Sequence, residues 1–203
     1  MEFGTKHLSL YQLTIEPNTA FYKQYKRGDW QLPSHENSND MYDLTGKILS
    51  TKGLKPYEIS NYAVPGFESR HNLTYWRYND FIGIGPGAHG RIVIEGATHA
   101  FKQYSSPAKW LNSVQNDHNP GCEEDAQLTE NTVFEERLMM GMRLKEELTI
   151  ADNNLALINS NVLADFKKMQ LIEDLKKSKE QITFNMTSKG RLVANSILAK
   201  LLK

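Results

Sequence analysis

From Leu8 onward the chain sets Leu8, Leu10, Gln12 and Thr14 against Ser9, Tyr11, Leu13 and Ile15, and then meets Pro17. This half-apolar, β-rich alternation predicts a buried strand ending near Glu16, because successive strand residues point to opposite faces and proline removes a ladder donor. A strand this close to residue 1 needs neighbours to pair with, so the chain reads as cut through a larger sheet. After Leu32-Pro33-Ser34, the apolar residues Met41, Leu44, Ile48 and Leu49 recur at helical spacing and Gly53 is a C-terminal cap candidate, which predicts a helix over 36–52. Tyr57 to Asn61 reads as a second strand. Residues 8–61 would then be a strand, helix, strand unit of the kind that builds parallel sheets.

Between Ala63 and Gly90 the pattern gives way to loop chemistry, with five glycines, two prolines and the aromatics Phe67, Tyr75, Trp76, Tyr78 and Phe81 interleaved. Such a segment suits either a wall for something flat or an aromatic mini-core under a long loop. Gly83-Ile84-Gly85-Pro86-Gly87 lacks the GxGxxG spacing and the following Lys-Ser/Thr of phosphate loops, so its glycines are read as letting the backbone approach a bulky ligand. Arg91 to Ile94 forms a short strand, and the stretch from Ser105 to Pro120 reads as a linker with one short helix around Trp110 and a domain boundary near residue 120. Thr132-Val133-Phe134-Glu135 fits a capping box, and Phe134, Leu138 and Met142 share one face of a helix running to about Lys145. Helices over 153–160 and 162–169, strands over 171–173 and 181–184, and a last helix over 188–202 capped by Ser188 complete the chain. Helices followed by a small hairpin resemble a winged-helix module, which serves nucleic acids in some proteins and protein contacts in others.

Composition narrows the function. The 203 residues, 39% hydrophobic and 24% charged, describe a folded protein of one or two domains. Lys and Arg balance Asp and Glu at 24 each, which removes the signature of a general polyanion binder and leaves nucleic acid only a local patch. Such a patch exists in outline: residues 165–203 carry nine basic and four acidic side chains, whereas residues 121–148 carry three basic and eight acidic. A solvated lysine-rich face balanced by an acidic helix explains the same counts. Apolar runs fall far short of the roughly 20 residues that span a bilayer, and the start lacks a secretory pattern, so the expected location is cytoplasmic. The one cysteine, Cys122, excludes an intramolecular disulfide and a cluster held by three or four thiolates of this chain.

Among the six histidines no pair has metal-ligand spacing, and no GxSxG turn frames a serine nucleophile. The best local candidate is His71-Asn72-Leu73-Thr74-Tyr75-Trp76. A neutral imidazole can ligate porphyrin iron, a neighbouring amide can fix its tautomer, and two aromatics can lie against a macrocycle. A structural histidine hydrogen-bonded within an aromatic loop fits the same residues.

The runs HLSLYQLTIEPNTAFY, YEISNYAVPGFESRHNLTYW and DFIGIGPGAHGR, followed by LMMGMRL and NMTSKGRLVANSIL, resemble in order and spacing the C-terminal half of the HemW-type heme chaperones. These are radical S-adenosylmethionine proteins related to oxygen-independent coproporphyrinogen III oxidases. The resemblance implies an α/β plus α+β architecture: residues 1–94 as the closing part of a partial radical-SAM barrel with the heme-motif loop, 95–120 as a linker with a short helix, and 121–203 as a helical, winged-helix-like domain. It places the HNxxYW heme motif on His71, Asn72, Tyr75 and Trp76, with His71 as axial iron ligand, and makes Thr14, Ala88 and His89 candidate contacts to S-adenosylmethionine. The CxxxCxxC motif for the [4Fe-4S] cluster has no counterpart here, so the resemblance implies a cluster-binding first half outside this chain, in frame upstream or separately encoded. Glu146-Glu147-Leu148 departs from the glycine and turn usual in the family at the junction into the last domain.

Three functions follow as expectations. The leading one is a chaperone fragment that holds heme and passes it to an acceptor hemoprotein. The second is a remnant of a coproporphyrinogen III oxidase-like enzyme, not catalytic without the cluster. The third is a winged-helix module binding nucleic acid or protein.

Overall fold

The structure, a computed structural model, describes residues 4–116, 118 and 120–203. The chain divides into two compact units, Met1–Ser69 and Arg70–Lys203. Among the described residues no helix is long and apolar enough to cross a membrane.

The first unit contains β1 (His7–Ser9), α1 (Ala20–Arg27), α2 (His35–Ser50), β2 (Lys55–Pro56) and β3 (Asn61–Ala63). Its sheet has the order β1-β3-β2 and both pairings are antiparallel, which corrects the expected parallel unit. The strand expected over 8–16 stops at Ser9. Beyond one bond from the Leu10 N–H to the Ser60 carbonyl, residues 10–16 run without a strand partner among the described residues, and Tyr11 and Leu13 are 76% and 57% exposed.

The second expected strand, over 57–61, is instead a turn organised by a buried carboxylate. Glu58 Oε1 accepts from the Ser60 N–H and from Asn61 Nδ2, each at 2.6 Å, so this acid makes up for lost solvation with local donors. α2 begins where Ser34 Oγ accepts from the Asn37 N–H, close to the expected start. One side of it contributes Leu49 to a small core with Leu54 and Tyr62, while Met41, Leu44 and Ile48 remain exposed. α1 was not expected from its mostly polar sequence; Thr19 caps it, Gly28 closes it at φ +80°, and Phe21 and Tyr25 pack on Trp30.

The second unit opens with α3 (Arg70–Trp76) and a sheet of β4 (His89–Ile94), β5 (Ala97–Gln103) and β6 (Cys122–Gln127), in that order and antiparallel. The expected linker over 95–120 therefore holds the central strand of a sheet as well as α4 (Pro107–Asn116), and pairing of β5 with β6 bridges residue 120. Then follow α5 (Glu130–Gly141), β7 (Leu148–Ala151), α6 (Asp152–Leu155), α7 (Val162–Lys168), β8 (Ile172–Lys177), β9 (Gln181–Met186), α8 (Ser188–Leu192) and α9 (Ala194–Leu201), with sheet order β7-β9-β8.

Phe134, Leu138 and Met142, spaced four apart, are buried as their spacing predicts. They join Ile150, Leu163, Phe166, Ile182, Phe184, Ile197 and Leu201 in one core. Several ends shift. Thr129, not Thr132, caps α5, its hydroxyl accepting from the Thr132 N–H. Thr187 rather than Ser188 caps α8. The single last helix is two helices meeting at Val193, and the helix expected over 153–160 ends at Leu155.

Candidate functional site

The HNxxYW residues lie on one short helix. Residues four apart on a helix share a face, and α3 accordingly puts the Tyr75 hydroxyl 2.6 Å from His71 Nε2, with the two rings edge to face at 4.5 Å. Tyr75 in turn meets Phe81 edge to face at 4.5 Å. His71 is exposed and Asn72 half-buried. Tyr78, at φ +55°, ends the helix: its N–H bonds the Tyr75 carbonyl, and the next N–H bonds that of Thr74.

Trp76 is engaged differently from an open aromatic wall. The Arg143 guanidinium lies over its ring at 4.4 Å from the centroid, and its indole Nε1 is buried without a hydrogen-bond acceptor among the described residues. One ring face is therefore already covered, and the side chain is half-buried. Spacing alone could not have shown this, since Arg143 is distant in sequence.

Charged side chains tie the end of α3 to α5 and the segment after it. Arg77 makes a forked pair with Glu146, its closest contact 2.6 Å. Glu136 on α5 accepts from Arg91 at 2.8 and 2.9 Å and from the Tyr78 hydroxyl at 2.5 Å. The Arg91 hydrogen bond holds the Glu136 carboxyl below the usual carboxylate range against the opposing effect of burial. Burial, reinforced by the bond to Glu136, pushes the Tyr78 hydroxyl up to about 12. Neither Glu136 nor Arg143 could be singled out beforehand, because both act through long-range contacts.

The glycine loop also departs from expectation. A Cβ on Gly83 would lie 2.1 Å from the His89 carbonyl oxygen, so this glycine admits the chain's own backbone and not a bulky ligand. That approach lets Phe81 and Arg91 exchange two backbone hydrogen bonds at 2.8 and 2.9 Å. Ala88 is fixed in the turn, its N–H bonding the Gly85 carbonyl and its carbonyl accepting from Gln103, while His89 is exposed at the start of β4. Thr14 is exposed in the segment of the first unit that follows β1; the other candidates all belong to the second. The lone thiol, Cys122, begins β6.

No protein-family model matches the sequence. Individual proteins do. The heme chaperone HemW of Lactococcus lactis is 29% identical over 213 aligned positions, covering 100% of this chain and 52% of its own length. The mitochondrial radical S-adenosyl methionine domain-containing protein 1 of Danio rerio is 36% identical over 173 positions, covering 83% of this chain and 39% of its own. The solved structure of HemN, the coproporphyrinogen III oxidase of Escherichia coli described as a radical SAM enzyme, superposes with a TM-score of 0.70 at 18% identity, over 98% of this chain and 48% of HemN. The last likeness establishes the backbone fold. The chain spans about half the length of the relatives it matches or less, and its match to 48% of HemN is consistent with a C-terminal half. On this evidence the chain belongs to the family of HemW and radical S-adenosyl methionine domain-containing protein 1.

Proposed function

We propose that the chain is the heme-holding part of a HemW-type chaperone, which takes up heme at His71 and passes it to an acceptor hemoprotein in the cytoplasm. The observation that carries this reading is the exposed His71 residue on α3, within a motif that resembles the heme motif of HemW-type chaperones, in a chain similar to proteins named heme chaperones. A neutral imidazole on an exposed helix offers iron a nitrogen lone pair without first opening the fold. Tyr75 and the uncovered part of Trp76 would supply flat contact area, and Asn72 polar contacts beside the ligand.

The residues present do not fit a [4Fe-4S] cluster, since one chain offers a single thiol where such a cluster takes three or four ligands. Cluster and S-adenosylmethionine chemistry are therefore assigned to a cluster-binding first half, with Thr14, Ala88 and His89 as this chain's contacts to the methionine cofactor. Anaerobic treatment of the chain with iron and sulfide is expected to yield no stoichiometric four-iron absorbance. A stable cluster within one monomer would sink that assignment. For the same reason, the reading as a coproporphyrinogen III oxidase-like enzyme ranks second.

The order α5, β7, α6, α7, β8, β9, with β9 between β7 and β8, supports reading residues 121–203 as a winged-helix-like domain. The nine-to-four basic excess of residues 165–203 favours a third reading, nucleic-acid binding, over a purely protein-binding role for that domain. Salt-dependent DNA binding is its mark.

Hemin titration tests the leading reading. The wild-type chain is expected to give a Soret band distinct from free hemin; His71→Ala should weaken it, whereas His99→Ala and His118→Ala should leave it nearly unchanged. His89→Ala belongs in the series as the main competitor. Trp76→Ala should lower affinity with little change in the ligation spectrum, because the indole contributes contact and no metal bond. Hemin that sticks to apolar surface would ignore which histidine is removed.

A further inference from the structure

We propose that Tyr75 is an internal competitor for the iron-binding nitrogen of His71: heme enters by displacing the Tyr75 hydroxyl and leaves with its help. The inference rests on the reading of His71 as the heme ligand. In the structure the Tyr75 hydroxyl sits 2.6 Å from His71 Nε2, and the Tyr75 ring is seated edge-on against both the imidazole and Phe81. A phenol O–H is a stronger donor than an imidazole N–H, and the unprotonated imidazole nitrogen is a good acceptor. The hydroxyl therefore donates to Nε2, leaving the proton of the neutral ring on Nδ1.

Two consequences pull in opposite directions. The tautomer so selected is the one whose Nε2 lone pair can bind iron, so the ring is held ready. That lone pair is nevertheless occupied. The iron–Nε2 coordinate bond forms only as the O–H···Nε2 hydrogen bond breaks; the hydroxyl proton stays on Tyr75, the Nδ1 proton stays in place, and no electron is transferred. Nδ1 is a poor substitute, because it adjoins the ring carbon that carries Cβ, where a porphyrin plane would run into α3 itself.

The competition serves a carrier. A site that must give heme up gains from a group that reoccupies the nitrogen as iron departs. Tyr75 is placed for this: i,i+4 spacing brings it to His71 without any long-range element, and Phe81 keeps its ring in range. Tyr75→Phe removes only the hydroxyl and preserves both ring contacts.

The experiment titrates the full chain with ferric hemin, then follows release into excess apomyoglobin, for wild type, Tyr75→Phe, His71→Ala and the double variant. The modest net worth of one hydrogen bond sets the scale: Tyr75→Phe should bind hemin about two- to tenfold tighter and release it correspondingly more slowly. The Soret position should not move. A second measurement needs no heme. Nitrogen-15 NMR of the His71 ring should show the Nδ1–H tautomer in the heme-free wild type and a shifted Nε2 resonance in Tyr75→Phe. Unchanged or weaker hemin binding by Tyr75→Phe overturns the competitor role, as does a wild-type ring protonated at Nε2. If His71→Ala leaves hemin binding intact in both the wild-type and the Tyr75→Phe background, the ligand reading itself falls, and that result is distinct from a failure of the competitor role alone.

Discussion

The two compact units solve the problem of apolar surface in opposite ways. Among the described residues, Arg70–Lys203 gathers fourteen buried apolar side chains into one cluster, drawn from α5, α7, α9, the β7-β9-β8 sheet and the segments just after α5 and α6. Met1–Ser69 gathers three, Leu49, Leu54 and Tyr62, and leaves Leu44 57% and Ile48 53% exposed on the helix that supplies Leu49. Burial of apolar area is the main favourable term in folding, and an exposed apolar face contributes little of it. The second unit therefore carries a core of its own, while the first leaves much of its apolar side-chain surface in water.

The sharpest way to break the contrast is to cut equivalent side chains from each unit. Leu163 is fully buried, so Leu163→Ala is expected to cost about 2 to 5 kcal/mol, as transfer and cavity terms add. Leu44→Ala should cost less than about 0.5 kcal/mol, because a side chain already in water loses little. Denaturant unfolding of the full chain, followed by far-ultraviolet circular dichroism, gives both numbers. Comparable losses at the two positions would mean that Leu44 is covered in solution. Polar replacement of Leu13, Leu44 and Ile48 together should reduce self-association at high concentration without lowering the midpoint.

What the sequence reveals follows the same division. The face of Phe134, Leu138 and Met142 was legible because a helix that packs on its own unit buries the stripe its spacing draws. The alternation from Leu8 to Ile15 was just as regular, yet only Leu8 and Ser9 of it lie in a strand, because a ladder needs a partner and no strand pairs with 10–16 among the described residues. Three strands were harder to read: β6 is polar and exposed, β7 is four residues long with its partner β9 some thirty residues on, and β5 lacks a clean alternation although it follows β4 directly through Glu95 and Gly96. At the candidate site, the local geometry of His71 and Tyr75 was implicit in their spacing. The roles of Arg143, Glu136 and Gly83 were not, since each is defined by a residue distant in sequence or by a backbone approach. Ser188 and Thr132 show the ordinary ambiguity of caps, where a hydroxyl a few residues earlier does the capping.

The smallest expected effect separates the units by pH. In the second unit, Glu136 has a folded pKa below its ordinary 4.5, chiefly through the Arg91 hydrogen bond. As pH falls the unfolded chain takes up this proton first, so the stabilisation is fully present above about pH 4.5 and is lost as pH drops through the folded value. Tyr78 behaves in the mirror sense. Its folded value, raised by burial and by Glu136 from 10 to about 12, gives a contribution that is complete below pH 10 and is lost as pH rises toward 12. Glu136→Gln should therefore flatten the acid limb of the stability profile, and Tyr78→Phe the alkaline limb, with a change at pH 7 within about 1.5 kcal/mol for the lost hydrogen bond. Leu44→Ala, in the other unit, should leave both limbs as they are. A parental acid limb in Glu136→Gln would show that the Arg91, Tyr78 and Glu136 cluster does not hold the end of α3 in solution, and that the helix bearing His71 and Tyr75 depends on Arg77 with Glu146, and Arg143 with Trp76, instead.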